Sequence, residues 1–359
     1  MNWNTTAKTS IAAMIAALCV NAQAATNGVT VSVAAEKSSL TKSDDVVVRV
    51  TIKNTTSSPQ YVLKWYTPFA EIEESLFTVT RDGVKVPYLG AHYKRPSPVA
   101  SDYYVLKPGA SHTSKVELSS MYDMSITGAY SVSYDAKSFS LFNDEMAGKP
   151  KNDKKEVGEM KSTATTMWID GAQPRGTVST AGQAGMPTTM AAGLSFTKCT
   201  ASQQSTVTAA MAAGSNMAAG GDAYMAGTLG ARYAKWFGAA DSARVSKVKA
   251  NFAAIKDAFA NKPVTVDCGC KKTYYAYVYP TQPYTIYVCK AFWTAPMTGT
   301  DSKGGTLVHE MSHFNAVAGT DDWVYGQAGA ASLAISDPAK ATDNADSHEY
   351  FGENTPNLN

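Results

Sequence analysis

Thr306-Leu307-Val308-His309-Glu310-Met311-Ser312-His313-Phe314 carries the pattern His-Glu-x-x-His, in a chain of 359 residues with 5 histidines. A spacing of four puts His309 and His313 on one face of an α-helix, about one turn apart, where two imidazoles can hold a single Zn²⁺. Glu310 lies beside them, free to take a proton from an attacking water. Leu307, Val308, Met311 and Phe314 give the same helix an apolar side to bury.

A catalytic zinc needs a third protein ligand and an open position. The metzincin spacing would place Gly three and His six residues after His313, but Ala316 and Gly319 stand there, so that class is excluded. The remaining donors are His348 and Glu349 further on, and the acidic turn Gly319-Thr320-Asp321-Asp322 just past the helix. From Asp301 to Asn359 there are 2 Lys/Arg against 9 Asp/Glu, whereas Gly171 to Thr300 has 12 against 4. Such an acidic stretch suits a solvated face, a metal site or a pocket for a cationic group. The whole chain has a formal net charge of only +2, which leaves no basic field for nucleic acid.

Upstream the composition changes twice. Residues 1–24 read as a secretory signal, with Lys8, the apolar run Ile11 to Val20, and the small-x-small site Ala22-Gln23-Ala24. That run is too short to span a bilayer, and no longer one follows, so an exported protein without a membrane span is expected. Residues 25–175 read as strands: Val29-Thr30-Val31-Ser32-Val33 alternates, Val46 to Ile52 is β-branched, and Phe77 to Thr80 meets Val84 to Val86 across Arg81-Asp82-Gly83. The expectation is an all-β, sandwich-like domain without a site of its own, with His92 and His112 as surface or locally bonded residues. After Gly171-Ala172-Gln173-Pro174-Arg175-Gly176 the period lengthens to between three and four, and residues 176–359 read as a mainly α (α+β) domain. Cys199, Cys268, Cys270 and Cys289 all fall there. In an oxidising compartment they predict two disulfides, one closing a long loop from Cys199 and one a short loop to Cys289.

Gly319-Thr320-Asp321-Asp322-Trp323-Val324-Tyr325-Gly326 resembles the Gly-Thr-x-Asp-x-x-Tyr-Gly signature of the aspzincins, the deuterolysin family of zinc endopeptidases. From about Cys199 to Pro356 the chain is similar to the catalytic domain of peptidyl-Lys metalloendopeptidases. Tyr277-Val278-Tyr279-Pro280, Cys289-Lys290-Ala291-Phe292-Trp293, Gly299-Thr300-Asp301 and Asn344-Ala345-Asp346-Ser347-His348-Glu349-Tyr350-Phe351 all fit. The resemblance implies a zincin-type fold, one Zn²⁺ per chain, Asp322 as third ligand, Glu310 as general base and Tyr325 as donor to the oxyanion. It implies the pairings Cys199–Cys268 and Cys270–Cys289. It also makes Asp346 and Glu349 the pocket for a lysine on the C-terminal side of the cut bond. Asp321 is expected to face solvent.

The expected partners are protein or peptide substrates and the chain's own N-terminal domain, acting as a removable, intramolecular inhibitor. Its removal is expected by a cut between Ala172 and Ser195, or in the lysine run Lys149 to Lys161. Two other readings stand beside this one: a broad-specificity deuterolysin-like peptidase, and a secreted binding module whose zinc is closed by a fourth ligand, for which His348 is available.

Overall fold

The computed structural model describes residues 23–24, 26–148, 157–171 and 193–358. Most of the signal segment and most of the expected cut region lie outside these residues. Strand alternation builds the N-terminal half. Along Val29–Ala35 and Val47–Asn54 every second residue is buried, and along Gly128–Ser138 Tyr130, Val132, Tyr134 and Ala136 point inward. One antiparallel sheet runs Gln23–Ala24, Val29–Ala35, Val47–Asn54, Ser111–Glu117. The other runs Ser39–Leu40, Thr165–Ile169, Gly128–Ser138, Phe77–Arg81, Val84–Lys85, with Gly158–Lys161 also paired to the long strand. Both sheets contribute to one apolar core, in which each fully buried Val or Ile adds about 1.5–3 kcal/mol. The turn between Phe77–Arg81 and Val84–Lys85 uses Asp82 at φ 50° and Gly83 at φ 82°, the left-handed pair that a two-residue hairpin needs.

The C-terminal half is a five-stranded sheet with helices. Gly193–Thr197, Pro263–Asp267 and Thr285–Val288 run parallel, and Ala276–Val278 returns antiparallel. The fifth strand is His92–Lys94, which comes from the N-terminal half and pairs antiparallel with Ala276–Val278. Three residues of the N-terminal half thus complete the other half's sheet. The long helix Ala201–Met225 starts at a capping box formed by Thr200 and Gln203. It lies against Ser242–Asn261 and against Lys303–His313, the helix bearing the His-Glu-x-x-His pattern. At Gly214 an added Cβ would meet the Gly304 carbonyl oxygen at 3.0 Å, so glycine lets the metal-pattern helix sit this close. Disulfides join Cys199 to Cys268 and Cys270 to Cys289.

Candidate metal centre and lysine pocket

Lys303–His313 is helical because Ser302 caps it, accepting from the Gly305 N–H at 2.9 Å, and because Leu307, Val308 and Met311 are buried along it. His309 Nε2 and His313 Nε2 come within 3.1 Å of each other. The chain then turns through Gly319, at φ 59°, and Thr320 donates its N–H back to the Ser312 carbonyl at 3.1 Å. That turn returns Asp322 to the two rings: Oδ1 lies 3.2 Å from His309 Nε2 and Oδ2 lies 3.4 Å from His313 Nε2. Two ligands on one tetrahedral zinc with bonds of 2.0–2.1 Å stand about 3.3 Å apart, so the three side chains have the spacing that one ion requires. Both Asp322 oxygens are buried and receive no hydrogen bond, as suits a carboxylate reserved for a cation.

The far nitrogens of the two rings are held differently. His313 Nδ1 stands 2.7 Å from the Thr320 carbonyl, which as acceptor fixes the proton there and leaves Nε2 with its lone pair. His309 Nδ1 faces two carboxylates, Asp346 Oδ1 at 2.9 Å and Glu349 Oε2 at 3.3 Å. Glu310 is fully buried beside them, and burial pushes its carboxyl up to about 7, against the lowering effect of His309 and His313. Its Oε1 accepts the backbone N–H of Lys94 at 3.2 Å.

Lys94 was not singled out by the sequence, yet it fills the second half of the site. Asp346 and Glu349 project from one face of the helix Ala345–Glu353, and the fully buried Lys94 Nζ lies 2.9 Å from Asp346 Oδ1 and 2.8 Å from Glu349 Oε2. Asp301 adds a third carboxylate at 3.1 Å, held in place by the Tyr350 hydroxyl at 2.7 Å. Burial alone would favour neutral lysine, but Asp346 and Glu349 outweigh it and hold the ammonium charged. Asp346 Oδ2 in turn accepts the Gly326 N–H at 2.6 Å. Asp301 belongs to a segment quoted for the resemblance, but nothing in its sequence position 45 residues before Asp346 marked it as part of the pocket.

The other expected residues fall as follows. Tyr325 is buried, and its hydroxyl donates to Glu74 Oε1 at 2.9 Å. Asp321 is half-buried, with 43% of its side chain exposed and its backbone bridged to Asn344. His348 lies away from the triad: Nδ1 is 2.9 Å from the Asn344 carbonyl and Nε2 is 3.0 Å from Asn251 Nδ2, with Phe252 stacked on the ring. Both its nitrogens are occupied, so it does not close a structural site. His92 departs from expectation. It is 9% exposed, and its ring centre lies 4.8 Å from that of His313.

A buried His-Glu-x-x-His helix, a carboxylate returned by the next turn and an adjoining acidic pocket together define a zinc metalloendopeptidase. The chain belongs to the aspzincin family: residues 223–353 match the model of the lysine-specific metallo-endopeptidases. It is 48% identical over 319 residues to an extracellular protease of Aeromonas hydrophila, covering 88% of this chain and 90% of that protein. It is 37% identical over 277 residues to the peptidyl-Lys metalloendopeptidase of Armillaria mellea, covering 76% and 74%. The solved structure of a zinc peptidase from Grifola frondosa aligns with a TM-score of 0.44 at 45% identity, over 45% of this chain and 100% of that one. The chain is therefore a metalloendopeptidase whose family metal is zinc and whose substrates are proteins or peptides. Among the described residues no helix is long and apolar enough to cross a membrane.

Proposed function

We propose that this protein is an exported endopeptidase that cuts before lysine and is made as a latent precursor. His309, His313 and Asp322 would hold one Zn²⁺ per chain, which would supply Lewis-acid polarisation of the peptide carbonyl. Glu310 takes a proton from water and returns it to the leaving nitrogen, a task suited to a carboxyl raised to about 7. Tyr325 donates to the developing oxyanion. Asp346, Glu349 and Asp301 select a lysine on the C-terminal side of the cut.

A single observation carries this reading: the ammonium of Lys94 sits among three carboxylates while the N–H of the same residue points at Glu310. A peptide seated so that its lysine fills the pocket presents the bond before that lysine to the base. The β-rich residues 25–175 are thus read as a prodomain that covers the cleft with a substrate-like strand, joined to the sheet edge by backbone pairing as extended peptides are. Three carboxylates also argue against the broad-specificity reading, because a pocket of that charge would stand unpaired around an apolar side chain.

The test is a peptide library digested by the processed enzyme and by the full-length precursor, with the cut bonds mapped by mass. Cuts before lysine by the processed form, lost with chelator and absent from the precursor, are expected. Cuts without preference for the following residue would overturn the specificity, and equal rates from both forms would overturn latency.

A further inference from the structure

We infer that His92 is a metal ligand in the precursor, closing from the N-terminal half the coordination position that catalysis leaves open. The inference rests on the latency proposed above and adds a second lock to the occupied lysine pocket.

Strand geometry delivers the side chain. His92–Lys94 is extended, so residues 92 and 94 project from one face and residue 93 from the other. Tyr93 packs on Tyr274 and Tyr277, with ring centres 5.3 and 5.4 Å away. Lys94 enters the carboxylate pocket, which leaves His92 directed toward the metal side. There, one ring nitrogen of His92, one of His313 and a carboxylate oxygen of Asp322 lie within 4.8 Å of one another. This span is wider than the 3.1–3.4 Å within the triad, so coordination by His92 would require its ring to move inward.

Nothing else claims the imidazole. Its Nδ1 is 3.8 Å from Asp321 Oδ1, beyond hydrogen-bond reach, and among the described residues neither ring nitrogen has a hydrogen-bond partner. Its remaining ring neighbour is Tyr88, 5.9 Å away. Three imidazoles and one carboxylate make a closed donor set with no place for an exchangeable small ligand. That explains how a strand can lie as a substrate would, with its lysine seated, and stay uncut.

The experiment uses the full-length precursor carrying Glu310→Gln, so that it cannot cut itself, loaded with Co²⁺. Its visible absorption bands should be unchanged by azide, because no position is open. Adding His92→Ala should make the bands azide-sensitive and should speed release of Zn²⁺ to a chelator at least tenfold. Azide-sensitive bands in the precursor that retains His92 would overturn the inference whether or not the His92 variant folds. Azide-silent bands in both proteins would overturn it too, since another group would then fill the position. Failure of latency itself is read separately, as peptide cleavage by the unmutated precursor at the rate of the processed enzyme.

Discussion

Tyr325 donates its hydroxyl hydrogen to Oε1 of Glu74, a residue 251 positions earlier in the chain, at 2.9 Å. The same oxygen accepts Nε of Arg95 at 3.0 Å, and Arg95 Nη1 reaches Glu73 at 3.2 Å. The phenol proposed to stabilise the oxyanion is thus tied to the N-terminal half through a buried ion pair. Glu74→Ala leaves a buried guanidinium short of one partner and the phenol without its acceptor. The precursor should lose about 3 kcal/mol of stability. Urea unfolding of the precursor with and without the substitution checks this.

Glu310→Gln should lower peptide hydrolysis by about 10²–10⁴-fold or more while zinc content stays at the unmutated level, because a base is removed and no ligand is. If maturation is autocatalytic, the variant should also accumulate as intact precursor. Normal processing in a host lacking other peptidases would assign that cut to a different enzyme.

The Lys94 ammonium and the His309 ring share their carboxylates. Asp346 Oδ1 lies 2.9 Å from both Lys94 Nζ and His309 Nδ1, and Glu349 Oε2 lies 2.8 Å and 3.3 Å from the same two atoms. Asp346→Asn with Glu349→Gln should therefore cut the rate before lysine by at least about tenfold. It should also weaken zinc binding by about 10–100-fold, the usual effect of removing partners that orient a ligand. Chelator competition and kinetics on the same preparation separate the two effects.

Asp322→Ala should lose most of its zinc and all activity, whereas His348→Ala, whose ring nitrogens already face Asn344 and Asn251, should keep the metal. Asp321→Ala should be mild. Zinc stoichiometry on the three variants decides the third ligand: metal retained by Asp322→Ala but lost from His348→Ala would reverse the assignment.

His348 also predicts a pH dependence of stability. Burial lowers its pKa to about 4, below the unfolded value of about 6.5. Above pH 6.5 the ring is neutral in both states and contributes no pH dependence. As the pH falls from 6.5 toward 4 the unfolded chain takes up a proton that the folded chain refuses, and about 3 kcal/mol of stability is lost. Unfolding free energies between pH 7 and 4 should fall less steeply for His348→Gln than for the unmutated protein.

Local signals made part of this molecule readable. The alternation in Val29–Ala35, the Asp82-Gly83 turn and the apolar side of Lys303–His313 are set by neighbours a few residues apart, and sequence periodicity records such relations. The His309–His313 spacing works in the same way, and the resemblance that placed Asp322, Asp346 and Glu349 rests on contiguous blocks. What could not be read was the meeting of distant segments. The Lys94 ammonium bonds to groups between 207 and 256 residues away, and in Tyr93-Lys94-Arg95 it looks like an ordinary surface lysine. His92 lies in a stretch with no metal-ligand spacing, and Asp301 reaches the pocket only because the fold brings it there. Glu74 gains its importance from a phenol in the other half. No periodicity encodes such contacts, which depend on how two separately patterned halves dock.

Both disulfides close loops inside the C-terminal half, between Cys199 and Cys289, and none crosses to the strand that fills the cleft. In the latent precursor proposed above, the strand His92–Lys94 is present at the high effective concentration of a tethered ligand, on the order of millimolar. One cut anywhere between Gly171 and Gly193 turns that tethered ligand into a separate molecule. On that proposal its hold on the cleft then obeys mass action, and a cut enzyme kept silent in a concentrated compartment is expected to regain activity on dilution.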